Sequence, residues 1–232
     1  MPQAAFVLHR RDYQETSLLV DLLTLNDGRV RVIAKGAKRH NNPWRAVLQA
    51  FLPLQVEYSG RQDLKTLSLA EATATPLPLS GHYLYSGFYL NELVQRVLPQ
   101  YAEVTELFYA YQRALSQLAQ QQSMEDTLRW FEWQLLQQLG CAFDWQTDAQ
   151  SGVALATQTE CFFDPEQGFV HVAPHPRAVA LPSAQVQTLA CLNDDAVSLD
   201  PAQRKLCKWI MREALAPHLG SKPLRSRELF KR

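Results

Sequence analysis

Hydrophobic and polar positions alternate with a period of two over about the first 75 residues of this chain, then change to the spacing of helices. The clearest strand is GRVRVIAKGAKRH, Gly28 to His40. Val30, Val32 and Ala34 fall on one face and Arg29, Arg31, Ile33 and Lys35 on the other, so one face suits a core and the other a polyanion. Gly36 breaks the strand, and Lys38, Arg39 and Arg45 follow in a segment too polar to bury, with Trp44 among them. Cations beside an exposed aromatic suit single-stranded nucleic acid, which offers phosphates and unstacked bases. The plain alternative is a solvated edge strand whose charges discourage aggregation.

Around this strand, AAFVLHRR, TSLLVDLLT, LPLQVEYS and LKTLSLAEA complete a set of five. Asn26-Asp27-Gly28 marks a tight hairpin between the second and third strands, and Gly60-Arg61-Gln62-Asp63 joins the last two. Five short strands with a longer basic loop after the third fit a small closed barrel such as the OB-fold, whose strand face and loops bind oligonucleotides; SH3-type barrels fit as well. Pro76-Leu77-Pro78-Leu79-Ser80-Gly81 suits neither a central strand nor a helix interior and marks a junction. The expected class is therefore α+β, with an OB-fold barrel over residues 1–79 and a mainly α-helical domain over 80–232.

In the second part, His82 to Leu98 is aromatic on several sides and reads as a buried helix. Glu103 to Gln120 carries Val104, Leu107, Phe108, Tyr111, Leu115 and Leu118 at helical spacing, a core stripe. A third helix starts at Ser123, with Asp126 three residues on, and stops at Gly140. Leu128, Phe131, Leu135 and Leu139 make its inner face, while Trp130 and Trp133 lie off that line and are expected to stay partly exposed. Arg129 beside them is suited to holding a carboxylate that accompanies an apolar side chain, as at a peptide's C-terminus; a surface arginine paired with Glu125, Asp126 or Glu132 is the plain reading. From 144 to 182 the pattern weakens: DAQSGVALATQT, residues 148–159, is small and polar enough for a mobile loop, and a hairpin turning at Asp164 to Gly168 follows. A short helix at Ser183 to Asn193 precedes a last one that opens at Asp200-Pro201, a cap residue followed by proline. There Arg204, Lys208 and Arg212 recur every four residues as a basic ridge, and Lys222, Arg225, Arg227, Lys231 and Arg232 extend it into the tail.

Charge changes the picture more than composition does. With 47% hydrophobic and 20% charged residues the chain reads as an ordinary globular protein, and it has no apolar run near the ~20 residues of a membrane span and no signal peptide, so a cytoplasmic protein is expected. The formal net charge of zero conceals +3 over residues 1–80, −10 over 81–202 and +7 over 203–232. Basic ends around an acidic middle suggest that the two ends share a polyanionic partner. Cys141, Cys161, Cys191 and Cys207 form no CxxC pair, so buried free thiols are expected rather than zinc or a disulfide framework.

Catalytic motifs are missing: there is no GxxxxGK[ST], GxGxxG, HExxH or GxSxG, and acids such as Asp194 and Asp195 read as a solvated loop. A binding protein without enzymatic activity is the expectation. Two other classes stay open, a general OB-fold nucleic-acid binder and a nuclease that would need a divalent metal.

AFVLHRRDYQETSLLVDLLT, GRVRVIAKGAKR, TLSLAEATATPLPLSGHYLYSGFYLNELVQRVL and LGSKPLRSRELF together resemble the bacterial recombination and repair mediator family RecO over nearly the whole chain. The resemblance implies an N-terminal OB-fold and a helical domain, binding of single- and double-stranded DNA, and annealing of complementary strands. It also implies partners: the acidic, phenylalanine-ended tail of the single-stranded DNA-binding protein SSB, RecR and, indirectly, RecA. DNA binding transfers to Arg29, Arg31, Lys35, Lys38 and Arg39, and the helix LRWFEWQLLQQLG resembles the family's SSB-tail site, with Arg129 as anchor beside Trp130 and Trp133. Some family members carry a four-cysteine zinc finger where residues 144–182 here keep only Cys161, so no metal or cofactor is carried over.

Overall fold

The computed structural model describes residues 1–194 and 196–230; Asp195 and the tail cations Lys231 and Arg232 lie outside the described residues. Five strands, Gln3–Tyr13 (β1), Ser17–Thr24 (β2), Gly28–Ala34 (β3), Leu54–Ser59 (β4) and Leu64–Ala72 (β5), close into a barrel in the order β1-β2-β3-β5-β4. All pairs are antiparallel except β3 with β5, and this order with its parallel seam is that of an OB-type barrel, which sets the SH3 alternative aside. Val30, Val32 and Ala34 are fully buried and join Val7, Val20, Leu22, Leu54 and Val56 in the barrel core, as the alternation of β3 requires. Gly28 turns the β2–β3 hairpin at φ +61, and a Cβ there would lie 2.0 Å from the carbonyl oxygen of Ala102, so both backbone conformation and space demand glycine.

The chain divides into two compact units at a place other than the proline-rich junction. One comprises Met1–Gln122 with Pro223–Arg232, the other Ser123–Lys222. The first therefore holds the barrel, the short turn of helix Trp44–Val47 (α1), the helices Gly81–Val97 (α2) and Thr105–Ala119 (α3), and Ser226–Leu229 (α7) near the chain's end. Val104, Leu107, Phe108, Tyr111, Leu115 and Leu118 are all buried, so the stripe read from the sequence is the inner face of α3. Phe6, on the outer face of β1, meets Phe108 and Tyr111 at ring-centroid distances of 5.6 and 5.3 Å. A bulge between Val7 and His9 turns backbone carbonyls out of the ladder, and the side-chain amide of Asn91 on α2 donates to the carbonyls of Val7 and Leu8.

The second unit is built on Met124–Gln138 (α4) and Pro201–Leu219 (α6), with a small sheet of Glu160–Asp164 (β6), Gly168–Val170 (β7) and Leu181–Pro182 (β8), and Ser183–Thr188 (α5). Asp164 pairs with Gly168, which confirms the expected hairpin. Asp200 accepts from the Gln203 N–H and Pro201 opens α6, the cap that the sequence announced. Gly140 ends α4 at φ +68, although Ser123 and Asp126 form no capping box at its start. In the stretch 148–159, expected as a loop, local polar contacts fix the turn: the buried carboxylate of Asp148 accepts from the N–H groups of Gln150, Ser151 and His171 and from the Ser151 hydroxyl. Burial pushes this carboxyl up, but the surrounding donors prevail and hold it at about 2.

Candidate nucleic-acid interface

Outward side chains of β3 do not form an open face. Asp21, at the centre of β2, is buried and accepts from Arg31 Nε at 2.8 Å and from Gln95 Nε2, on α2, at 2.9 Å. Arg29 donates its Nε to the carbonyl of Leu98 at 2.7 Å, keeps a terminal nitrogen 3.8 Å from Asp21, and its side chain is only 13% exposed. Burial lowers the Arg29 pKa, and Asp21 opposes the change. Tyr101 closes the arrangement by donating its N–H to the carbonyl of Arg29 and its hydroxyl to that of Asp63. The reading of Arg29 and Arg31 as cations facing a polyanion is thus corrected: both are turned to Asp21, and the end of α2 with residues 98–101 lies over strands 2 and 3. The signal was in β2, whose eight residues SLLVDLLT are all buried. A strand apolar on both faces is covered on both faces.

Beyond β3 the cations are free of such partners. Lys35, Arg39 and Arg45 are exposed and form no ion pair among the described residues; Lys38 pairs with the exposed Asp12 at 2.6 Å, a surface contact that a phosphate can displace at little cost. Two bonds seat this loop on one end of the barrel, the Lys38 N–H to Thr16 and Arg10 to the carbonyl of Leu48. Exposed Arg10, at the far end of β1, consequently belongs to the same basic surface. The sequence shows Arg10 as one more cation of β1, and only the fold carries this end of the strand past the loop. An open depression of about 520 Å³ lies between His40, Asn41, Asn42, Pro43, Arg45, Ala46 and Gln49, with amide groups and one guanidinium on its wall. Trp44 is corrected too: it is half-buried against the barrel core, not a free stacking surface.

In the second unit the ridge is incomplete. Arg204 forks onto Asp126 with bonds of 2.8 and 3.0 Å, so its guanidinium ties α6 to α4, whereas Lys208 and Arg212 are exposed. Lys222 is exposed at the end of this unit; Arg225 and Arg227 are exposed in the segment that belongs to the barrel unit.

Trp130 and Trp133 are buried, contrary to expectation, and Trp133 donates to Asn193 at 2.8 Å. Arg129 is buried with Glu132, 2.6 Å away. Helix α4 is enclosed from Asp126 to Trp133, so residues off its inner line meet protein, not solvent.

All four cysteines are free thiols; Cys161 and Cys207 are buried, and burial raises both, whereas Cys141 and Cys191 are only half-buried. Among the described residues no three His, Cys, Asp or Glu side chains come together to hold a metal, and no helix is long and apolar enough to cross a membrane.

An OB-type barrel with a cationic loop on one end, continued by a helical region, defines the class: an OB-fold protein with a surface suited to a polyanion. The profile of Recombination protein O N terminal matches residues 1–76, and that of Recombination protein O C terminal matches 79–228. A DNA repair protein RecO from Idiomarina loihiensis is 53% identical over 100% of this chain and 98% of its own length. Those of Haemophilus influenzae and Actinobacillus succinogenes are 44% and 43% identical, each over 98% of this chain and 94% of their own lengths. The chain belongs to the RecO family.

Proposed function

We propose that this protein is a DNA-binding recombination mediator that holds DNA on the barrel end formed by Lys35, Lys38, Arg39 and Arg45, with Arg10 beside them. A part in DNA repair and recombination comes with family membership. The observation that carries the binding site is the contrast within one basic stretch: Arg29 and Arg31 are engaged by buried Asp21, while Lys35, Arg39 and Arg45 are exposed without an ion pair among the described residues and Lys38 pairs only with exposed Asp12. Phosphate contacts of this kind position a nucleic acid without reading its sequence, which suits a protein that acts on any strand.

The finer reading includes single- and double-stranded DNA, annealing of complementary strands, action on SSB-coated strands and promotion of RecA loading with RecR. It is supported by the family resemblance, and it requires no bond chemistry and no cofactor. A cytoplasmic, nucleoid-associated location goes with it. The SSB tail remains a partner in this reading, and Arg129, Trp130 and Trp133, the residues that the family resemblance offers for it, are buried.

The test is annealing of SSB-coated complementary strands, with intact and tail-deleted SSB, in magnesium and in chelator. A mediator anneals in both buffers and loses rate without the tail. Indifference to the tail would leave a general nucleic-acid binder, and strand cleavage dependent on magnesium would indicate a nuclease.

A further inference from the structure

The outer side of α2 carries aromatic residues without the charges that usually solubilise a surface helix. From residue 72 to 91 the chain has no Asp, Glu, Lys or Arg. His82, Tyr85 and Phe88 follow one another at three-residue steps, which places them on one stripe of the helix. His82 is exposed, Tyr85 half-buried and Phe88 37% exposed, its ring backed by buried Phe51 at 5.1 Å.

Phe230, also 37% exposed, lies parallel to His82, with 6.0 Å between ring centroids and 7° between planes, and meets Tyr85 edge-on at 5.6 Å. It is held there by the chain's end. Glu92 accepts from the N–H groups of Arg225 and Ser226 and from the Ser226 hydroxyl, and Arg96 donates to the carbonyl of Pro223. The two charges of α2 are thereby used internally. The same segment exposes Arg225 and Arg227, which form no ion pair among the described residues; Glu228 is its one exposed carboxylate.

We infer that His82, Tyr85, Phe88 and Phe230 form a stacking platform for the bases of single-stranded nucleic acid, with Arg225 and Arg227 meeting its phosphates. This rests on the DNA-binding reading above but assigns a second place on the barrel unit, separate from the 35–49 loop. Aromatic faces with a cationic rim are the pairing that single strands require, because every unstacked base offers a π-face and every linkage a negative charge. A duplex keeps its bases inside the stack and can use only the arginines. The platform thus favours separated strands, which an annealing protein must hold before they pair.

Photo-cross-linking of the whole protein to a 5-iodouracil-substituted single strand tests the assignment. Adducts are expected within residues 81–97 or at Phe230 as well as in the 35–49 loop, and unlabelled single strand should compete those on α2 better than duplex does. Two variants accompany it. Phe230→Leu keeps an apolar anchor and should weaken single-strand binding about tenfold with duplex binding unchanged. Arg225→Gln with Arg227→Gln, both at exposed positions, should lower the log-log salt slope by about 1.4 for single strands. Adducts confined to the 35–49 loop, or equal competition by duplex, would overturn the platform and leave the loop site standing. No adduct anywhere and no retained strand would overturn the DNA-binding reading and the platform with it.

Discussion

Glu92 and Ser226 lie 134 residues apart in the chain and are joined by two hydrogen bonds, the Ser226 N–H donating to Glu92 Oε2 at 2.8 Å and its hydroxyl to the same oxygen at 2.7 Å. A carboxylate at the start of α7 satisfies backbone donors that so short a helix leaves open, and a side chain on α2 thereby fastens the end of the chain.

Burial pushes the Glu92 carboxyl up, but the Ser226 and Arg225 donors and Arg96 outweigh it, and its pKa falls below the ordinary value. A depressed carboxylate stabilises above its unfolded pKa, here about 4.3, and that contribution is lost as pH falls below it. Glu92→Gln is expected to loosen residues 223–230 at neutral pH, at a cost of about 1.5–3 kcal/mol. Hydrogen exchange at the Ser226 amide checks this; protection equal to that of the unaltered protein from pH 7 to 4 would contradict it.

Asp21→Asn keeps the shape of the acceptor but leaves Arg29 and Arg31 without their counter-charge. We expect a loss of about 2–3 kcal/mol, at the lower end for a broken buried pair because Arg31 is partly exposed. Urea unfolding measures it. The salt slope of DNA binding should stay the same in the folded variant, whereas replacing Lys35, Arg39 and Arg45 by Gln should lower it by about 0.7 for each phosphate of a single strand that is no longer neutralised.

Tyr111 donates its buried hydroxyl to Asn91 Oδ1, and Asn91 in turn donates to the β1 bulge, so the three form a relay. Tyr111→Phe leaves that acceptor short of a donor inside the protein and should cost about 1–3 kcal/mol. Together with Asn91→Ala the losses should be less than additive, since either change breaks the same relay. Full additivity in a double-mutant cycle would argue against the coupling.

Asp148, held at about 2, lends its stability in full above the ordinary carboxyl range near 4 and loses it as pH falls toward 2. Asp148→Asn should show the loss already at neutral pH, on the order of 2 kcal/mol, as faster exchange of the Ser151 and His171 amides. Unchanged exchange would mean that residues 148–159 are held by other contacts.

The local record was legible because it is written in short-range rules. Alternation predicted the five strands, turn residues joined them, the 3.6-residue stripe marked α3, and Asp200-Pro201 opened α6. The basic run after Gly36 was readable as a loop because its residues cannot be buried together. Partnerships at long range were not. Alternation says that Arg29 and Arg31 share a side of β3, but not that Asp21 and the end of α2 occupy that side. Spacing put Trp130 and Trp133 off the inner line of α4, yet that helix is enclosed on more than one side. The sequence by itself determined the elements and the barrel they could close, since φ/ψ preference and side-chain period act within a few residues. Only the tertiary structure decided which cations stay exposed, because a charge's availability depends on partners that the fold brings from distant parts of the chain.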